Sequence, residues 1–177
     1  MPVPLPPKSR PLLRRYVRQP WTAAARRSPA LRRWCDQHGY VTPHFSWREV
    51  GGNDGTPVPR RLRKNAIRHC RRLELFRHRL GDVAVSIDGP YRTPARNRAV
   101  GGAARSRHIE ADASDHYLQQ VDRWIRQSPK LRSRADVVRI AEQTFVAVGN
   151  ETSGTLHVDS RPGKVGSVRF VTWAAGR

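Results

Sequence analysis

The stretch SRHIEADASD, residues 106–115, decides how this chain is read, because it sets His108 and Asp115 seven residues apart. Further on, TLHVDS at 155–160 has the alternation of a β-strand and carries a second histidine, His157. Two imidazoles and one carboxylate meet the needs of a catalytic zinc ion, which takes three nitrogen or oxygen ligands and keeps a fourth position open for water. In a chain with seven histidines that spacing does not by itself separate a site from an accident, so the surroundings carry the argument.

Working outward, a helix is expected over about 116–127, with Leu118, Val121, Trp124 and Ile125 on one side. His116 would follow Asp115 on that helix and point away from it. Another helix, about 133–142, is opened by Ser133 and packs Val137, Val138 and Ile140. Three strand candidates follow, 145–149, 155–160 and 168–173, separated by glycine-rich turns. Upstream, DVAVSIDG at 82–89 alternates Val83, Val85 and Ile87 like a half-buried strand. Before it, residues 60–81 repeat apolar residues at three- and four-residue steps: Leu62, Ala66, Ile67, Cys70, Leu73, Phe76 and Leu80. That pattern gives a helix with one buried face and an arginine-coated outer face, stopped by Gly81. Helices early and strands grouped late suggest an α+β domain with a mainly antiparallel sheet.

Two units are expected, a basic Pro/Arg-rich arm with a short helix over 1–40 and a single folded domain over 41–177. Pro2, Pro4, Pro6, Pro7 and Pro11 stand among five cationic residues in the first twenty, a composition that favours an extended docking arm. Ser28, Pro29 and Gly39 have the types of an N-cap, a first helical residue and a stop. Thirty-four Lys and Arg against fourteen Asp and Glu give a formal charge of +20, which attracts polyanions of any kind. Non-specific nucleic-acid binding is compatible with it, but no nucleic-acid module is present and the arginines are not interleaved with aromatics. Cys35 and Cys70 lack metal or disulfide spacing and read as buried thiols. The glycine-rich GGNDG at 51–55 lacks the rest of a phosphate loop and reads as a turn. No apolar run is long enough to span a membrane, and the proline string at the start is not a signal peptide.

From about His44 to Trp173 the chain resembles the zinc D-alanyl-D-alanine carboxypeptidases, especially phage-encoded and actinobacterial forms, which share a core with the hedgehog signalling domain. The family pattern Ser-x-His-x-x-Gly-x-Ala-x-Asp is met by Ser106, His108, Ala113 and Asp115, with Ala111 in place of the glycine. Upstream, Gly89, Tyr91, Arg92, Asn97, Gly101 and Gly102 meet its Ser-Gly-Tyr-Arg, Asn and Gly-Gly elements. Downstream, His157, Val158, Asp159 and Arg161 meet its His-Val-Asp-x-Arg.

The resemblance implies a hedgehog/DD-peptidase-like fold and a Zn2+ ion held by His108, Asp115 and His157. Arg92 would meet a substrate carboxylate or carbonyl, and Ser106 would help hold the substrate backbone. Relatives with an acid three residues before the last histidine use it as general base; here that position is Gly154. Asp159, on the same strand face as His157, is the favoured base, with orienting a neighbour as its other reading. Glu151, in the preceding loop, is the other candidate. Asn97 and the Gly101-Gly102 pair are expected to shape the loop beneath the site, and Trp47, Trp124 and Trp173 to serve as core or groove walls. The implied substrate is a peptidoglycan stem peptide. The protein would be made in the cytoplasm and reach the wall after lysis or as a virion component, with the arm on phage structural proteins. A non-enzymatic phage structural protein that keeps the fold is the alternative.

Overall fold

The computed structural model describes residues 28–150 and 154–171. Most of the basic arm, Glu151 and Trp173 lie outside the described residues. Helix α1 (Pro29–His38) is capped as its sequence suggests. The Ser28 Oγ accepts the Leu31 N–H at 3.3 Å, and Gly39 ends the helix in the left-handed region at φ 72°. The helix buries Leu31, Trp34 and Cys35, and Trp34 stacks on His38 and tilts against Tyr40. A small antiparallel ribbon, β1 (Tyr40–Thr42) and β2 (Phe45–Ser46), leads into the single turn α2 (Trp47–Val50).

A 3-10 turn at Arg60–Leu62 opens α3 (Arg63–Arg79), the long helix of the core. Leu62, Ala66, Cys70, Leu73, Phe76 and Leu80 are buried along one face as the periodicity requires, whereas Ile67 is only partly covered. Phe76 meets Trp124 edge-on at 5.8 Å and Phe145 at 5.4 Å, contacts worth about 0.5–1.5 kcal/mol each beyond area burial.

The segment 82–89 is not a strand. Val83 and Val85 are buried in alternation with exposed neighbours, so the side-chain reading holds, but side chains take several of the backbone groups a ladder would have used. Ser86 N–H donates to the Gln120 amide oxygen (3.1 Å) and Ile87 N–H to Glu49 Oε1 (3.4 Å). Ala84 C=O accepts from the Trp124 indole N–H (2.8 Å) and Ser86 C=O from His116 Nδ1 (2.9 Å). Alternation reports burial, and only the partner decides whether a ladder forms.

After the short helix α4 (Pro94–Ala99) comes β3 (Ala113–Tyr117), then α5 (Leu118–Gln127), α6 (Arg134–Glu142), β4 (Ala147–Asn150), β5 (Thr155–Asp159) and β6 (Val168–Val171). The helix expected from 116 starts at Leu118, because Asp115, His116 and Tyr117 are paired with His157, Leu156 and Thr155 of β5. The sheet order is β3-β5-β4-β6, antiparallel except for the parallel β4–β6 pair. This is the α+β architecture expected. A Ser133/Asp136 capping box opens α6, and Trp124 of α5 is fully buried.

Register then fixes the chemistry, because side chains alternate across the sheet. Ser114, His116, Leu156, Val158 and Val148 occupy one face, which packs on the core, and Asp115, His157 and Asp159 occupy the other.

Candidate metal centre

Direct pairing of Asp115 with His157 across β3 and β5 puts both side chains on one face at one level of the sheet. The Asp115 Oδ1 lies 2.7 Å from His157 Nδ1 and 3.2 Å from His108 Nε2. One ligand atom from each of the three residues lies within 4.8 Å of the others, a spacing suited to a single ion. His108 arrives from the turn before β3, and its Nδ1 donates to the Pro90 carbonyl at 3.1 Å, which leaves Nε2 as the lone-pair nitrogen facing Asp115. Gly89 closes the centre on the other side, where a Cβ would fall 2.4 Å from Asp115 Oδ2, so only glycine fits. The Asp88 and Gly89 N–H groups both donate to the Asp115 carbonyl.

The electrostatics favour a cation here. Burial alone would raise the Asp115 pKa, yet its contacts with His108 and His157 hold it well below the usual carboxylate range. For His157, burial works against the charged ring, but hydrogen bonds and charge from Asp115 and Asp159 prevail and raise its pKa to about 9. Two buried imidazoles and an ionised carboxylate are the donor types that a catalytic zinc ion takes, and the residues present fit such an ion.

Asp159 stands behind His157, on the ring edge away from Asp115, with Oδ2 3.6 Å from His157 Nε2. It is fully buried, and Arg161 grips it through its backbone N–H (3.1 Å), its Nε (2.8 Å) and its Nη2. Burial would raise the pKa of Asp159; His157 and Arg161 hold it low.

Beside the centre lies an open cleft of about 310 Å³ whose walls include Asp115, Arg92, Arg96, Tyr91, Asp88 and Asn53. Arg92 Nη2 donates to Asp115 Oδ2 at 3.0 Å. The GGNDG segment is the expected turn, closed by Gly52 N–H to Thr56 C=O (2.7 Å), and it also forms one rim of the cleft. Ser106 is half-buried in the turn before His108 and is not among the cleft-lining residues. Gly154 precedes β5 at φ 86°, a conformation that would strain an acidic residue.

Several supports are not visible in the motif. The buried Asp112 carboxylate takes Arg107 Nε at 2.9 Å and Arg68 Nη2 at 2.8 Å, which ties the His108 turn to α3. Asn97 is buried, its side-chain N–H donates to the Ala103 carbonyl and its backbone carbonyl accepts from Gly102 N–H, so it shapes the loop. Under the sheet, His69 and His116 form a closed chain with two serines. His116 Nδ1 donates to Ser86 C=O, so its Nε2 accepts from the Ser114 hydroxyl (3.1 Å). The Ser114 Oγ in turn accepts from His69 Nε2 (2.9 Å), and His69 Nδ1 accepts from the Ser160 hydroxyl (2.9 Å). Every donor has one acceptor only if both rings are neutral. Burial first, and then mutual repulsion and other nearby imidazoles, lower the His69 pKa; burial also lowers that of His116.

The sequence model of the peptidase M15 family matches residues 44–150, more than half of the chain and inclusive of His108 and Asp115. A stretch of 53 residues is 38% identical to the zinc D-Ala-D-Ala carboxypeptidase of Streptomyces albus G, covering 30% of this chain and 21% of that protein.

Proposed function

This chain belongs to the peptidase M15 family, and from that premise we propose that it is a zinc-dependent peptidase hydrolysing peptidoglycan stem peptides, as a D-Ala-D-Ala carboxypeptidase or a related endopeptidase. The observation that carries the reading is the convergence of His108, Asp115 and His157 beside a cleft walled by Arg92. The cofactor is zinc, which supplies a water acidified for attack and polarises the scissile carbonyl. His108 Nε2, an Asp115 oxygen and His157 Nδ1 would hold it.

Arg92 receives the substrate. Its guanidinium already pairs with a carboxylate at the edge of the cleft, and its remaining donors suit a terminal carboxylate. Ser106 would act on the substrate backbone only through the turn it occupies. Of the two carboxylates considered for the proton transfer, Asp159 is held by Arg161 behind His157. We therefore assign Asp159 to orienting the His157 ring and the base to Glu151. Among the described residues no helix is long and apolar enough to cross a membrane. Delivery to the wall as a phage lysin or virion component suits a chain of charge +20 meeting an anionic envelope.

Protein purified without chelator is expected to carry about one zinc per chain, lost in His108→Ala or His157→Ala, and to release D-Ala or cleave another stem-peptide bond in purified wall fragments. Glu151→Gln should keep the zinc and lose about 10²–10⁴-fold in kcat. A metal-free wild type would sink the site. Zinc without turnover on several wall chemistries would favour a non-enzymatic phage structural protein, a reading supported by the enclosure of Asp159 and by Gly154 where relatives place an acid.

A further inference from the structure

The outer face of α3 carries cations at helical spacing, Lys64, Arg68, Arg71, Arg72 and Arg79, a stripe about 22 Å long. With Gln143, Thr144 and Val165 they line an open groove of about 710 Å³ floored by Ile67 and Leu75; among the described residues no carboxylate lines it, and of its cations Arg68 also pairs through Nη2 with the buried Asp112 at 2.8 Å. Its lining shares no residue with the cleft at the metal centre.

Three of the arginines are fixed in place by backbone carbonyls. Arg68 Nε donates to Ser160 C=O (2.7 Å), Arg72 Nη1 to Thr144 C=O (2.6 Å) and Arg79 Nη1 to Gln143 C=O (2.6 Å). A guanidinium has five N–H donors, so each retains others for a ligand and gives up little freedom on binding. Lys64 and Arg71 are exposed on the rim. The charges crowd one another: burial first, and then repulsion by Arg68, lower the Arg72 pKa. Such a groove is complementary to a chain of phosphates.

We propose that this groove is a docking site for a polyol-phosphate polymer of the cell wall, separate from the catalytic cleft, which holds the enzyme on its substrate layer. The choice of a wall polymer rests on the peptidase reading. The groove chemistry adds its own argument, because single-stranded nucleic acid is gripped through stacking on aromatic rings and, among the described residues, no aromatic side chain lines this groove. Aliphatic Ile67, Leu75 and Val165 instead suit the carbon backbone of a polyol.

The test is binding of the full chain to short poly(glycerol phosphate), measured against salt, with a duplex DNA of matched charge beside it. Lys64→Glu with Arg71→Glu should weaken polymer binding by about tenfold or more and reduce the salt dependence by about two phosphate contacts. Arg123→Glu with Arg126→Glu makes the same change in net charge on the exposed face of α5 and should leave binding within about threefold. A neutral pair, Lys64→Gln with Arg71→Gln, should fall between, and zinc content checks that each variant is folded. Equal loss in both reversed pairs, no binding near physiological salt, or tighter groove-dependent binding of the duplex would each overturn the proposal. Hydrolysis of a soluble stem peptide, assayed on the same samples, reports separately on the peptidase reading.

Discussion

The two faces of the β3–β5 pair carry the same kinds of residue and put them to opposite use. On the core face, His116 and His69 are linked through the Ser114 hydroxyl, and burial lowers both pKa values. On the other face, to which Asp115 between Ser114 and His116 points, His157 meets Asp115 and Asp159, and its pKa rises to about 9. A buried imidazole surrounded by hydroxyls and carbonyls becomes a neutral packing element. Set between two carboxylates, it becomes a place for positive charge. The neighbours that the strand register supplies decide whether a histidine is core or ligand.

Asp115→Asn should break the comparison most completely. It keeps the volume but removes the charge that both His108 and His157 face. Zinc content should fall to near zero, with at least a ~10³-fold loss of peptidase activity, while the fold, read by circular dichroism, survives. Asp159→Asn should act more gently, because the group touches the far edge of His157. Metal affinity should fall about 10–100-fold by competition with a chelator. A drop in kcat with unchanged zinc affinity would instead return Asp159 to the role of base.

The core face should respond in stability and not in metal. Ser114→Ala removes the acceptor of His69 Nε2–H and the donor to His116 Nε2. Stranding those groups should cost about 2–3 kcal/mol in denaturant unfolding, with zinc stoichiometry intact. The two faces should also answer pH in opposite directions. His69 and His116 have lowered folded pKa values, so unfolded chains bind more protons once pH falls below about 6.5, and stability declines from there. In chelated protein His157 acts the other way: its contribution is complete below about 6.5 and fades as pH rises through about 9. Melting temperature against pH in chelator should therefore fall on both sides; a chelated protein unaffected above pH 9 would argue against the close Asp115–His157 contact.

Much of this was legible in sequence where one local rule dominated. The Ser28-Pro29 and Gly39 signals bound α1, and the apolar steps from Leu62 to Leu80 define α3. Residues 82–89 were not, because alternation records which side chains are buried and says nothing of whether Gln120, Glu49, Trp124 and His116 will take the backbone groups. The start of α5 failed for a related reason. The apolar pattern from Leu118 says where the helix faces the core, while pairing with β5 claims His116 and Tyr117. The ligand motif lies in one short segment and could be read, but its supports are spread along the chain. Pro90 behind His108 and Arg68 on the Asp112 carboxylate reach it across 18 and 44 residues.

The smallest expected effect concerns Ala111, where the family pattern has glycine. Residues 106–110 form helical turns that end as a Schellman motif: Ala111 N–H donates to His108 C=O (3.2 Å) and Asp112 N–H to Arg107 C=O (3.5 Å). The residue between must be left-handed, and Ala111 has φ 55°. For a residue with a Cβ this costs about 1–2 kcal/mol, which explains the family's glycine. Ala111→Gly would relieve that strain. It would also give up a buried methyl, worth about 0.8 kcal/mol, and about 0.5–1 kcal/mol through the freer unfolded chain. The terms oppose each other at similar size, so the melting temperature should move by less than about 3 °C, with zinc affinity unchanged. A larger gain would mean that the alanine strains the turn carrying His108, and that the ligand face, unlike the relaxed core face, is held under tension by its own loop.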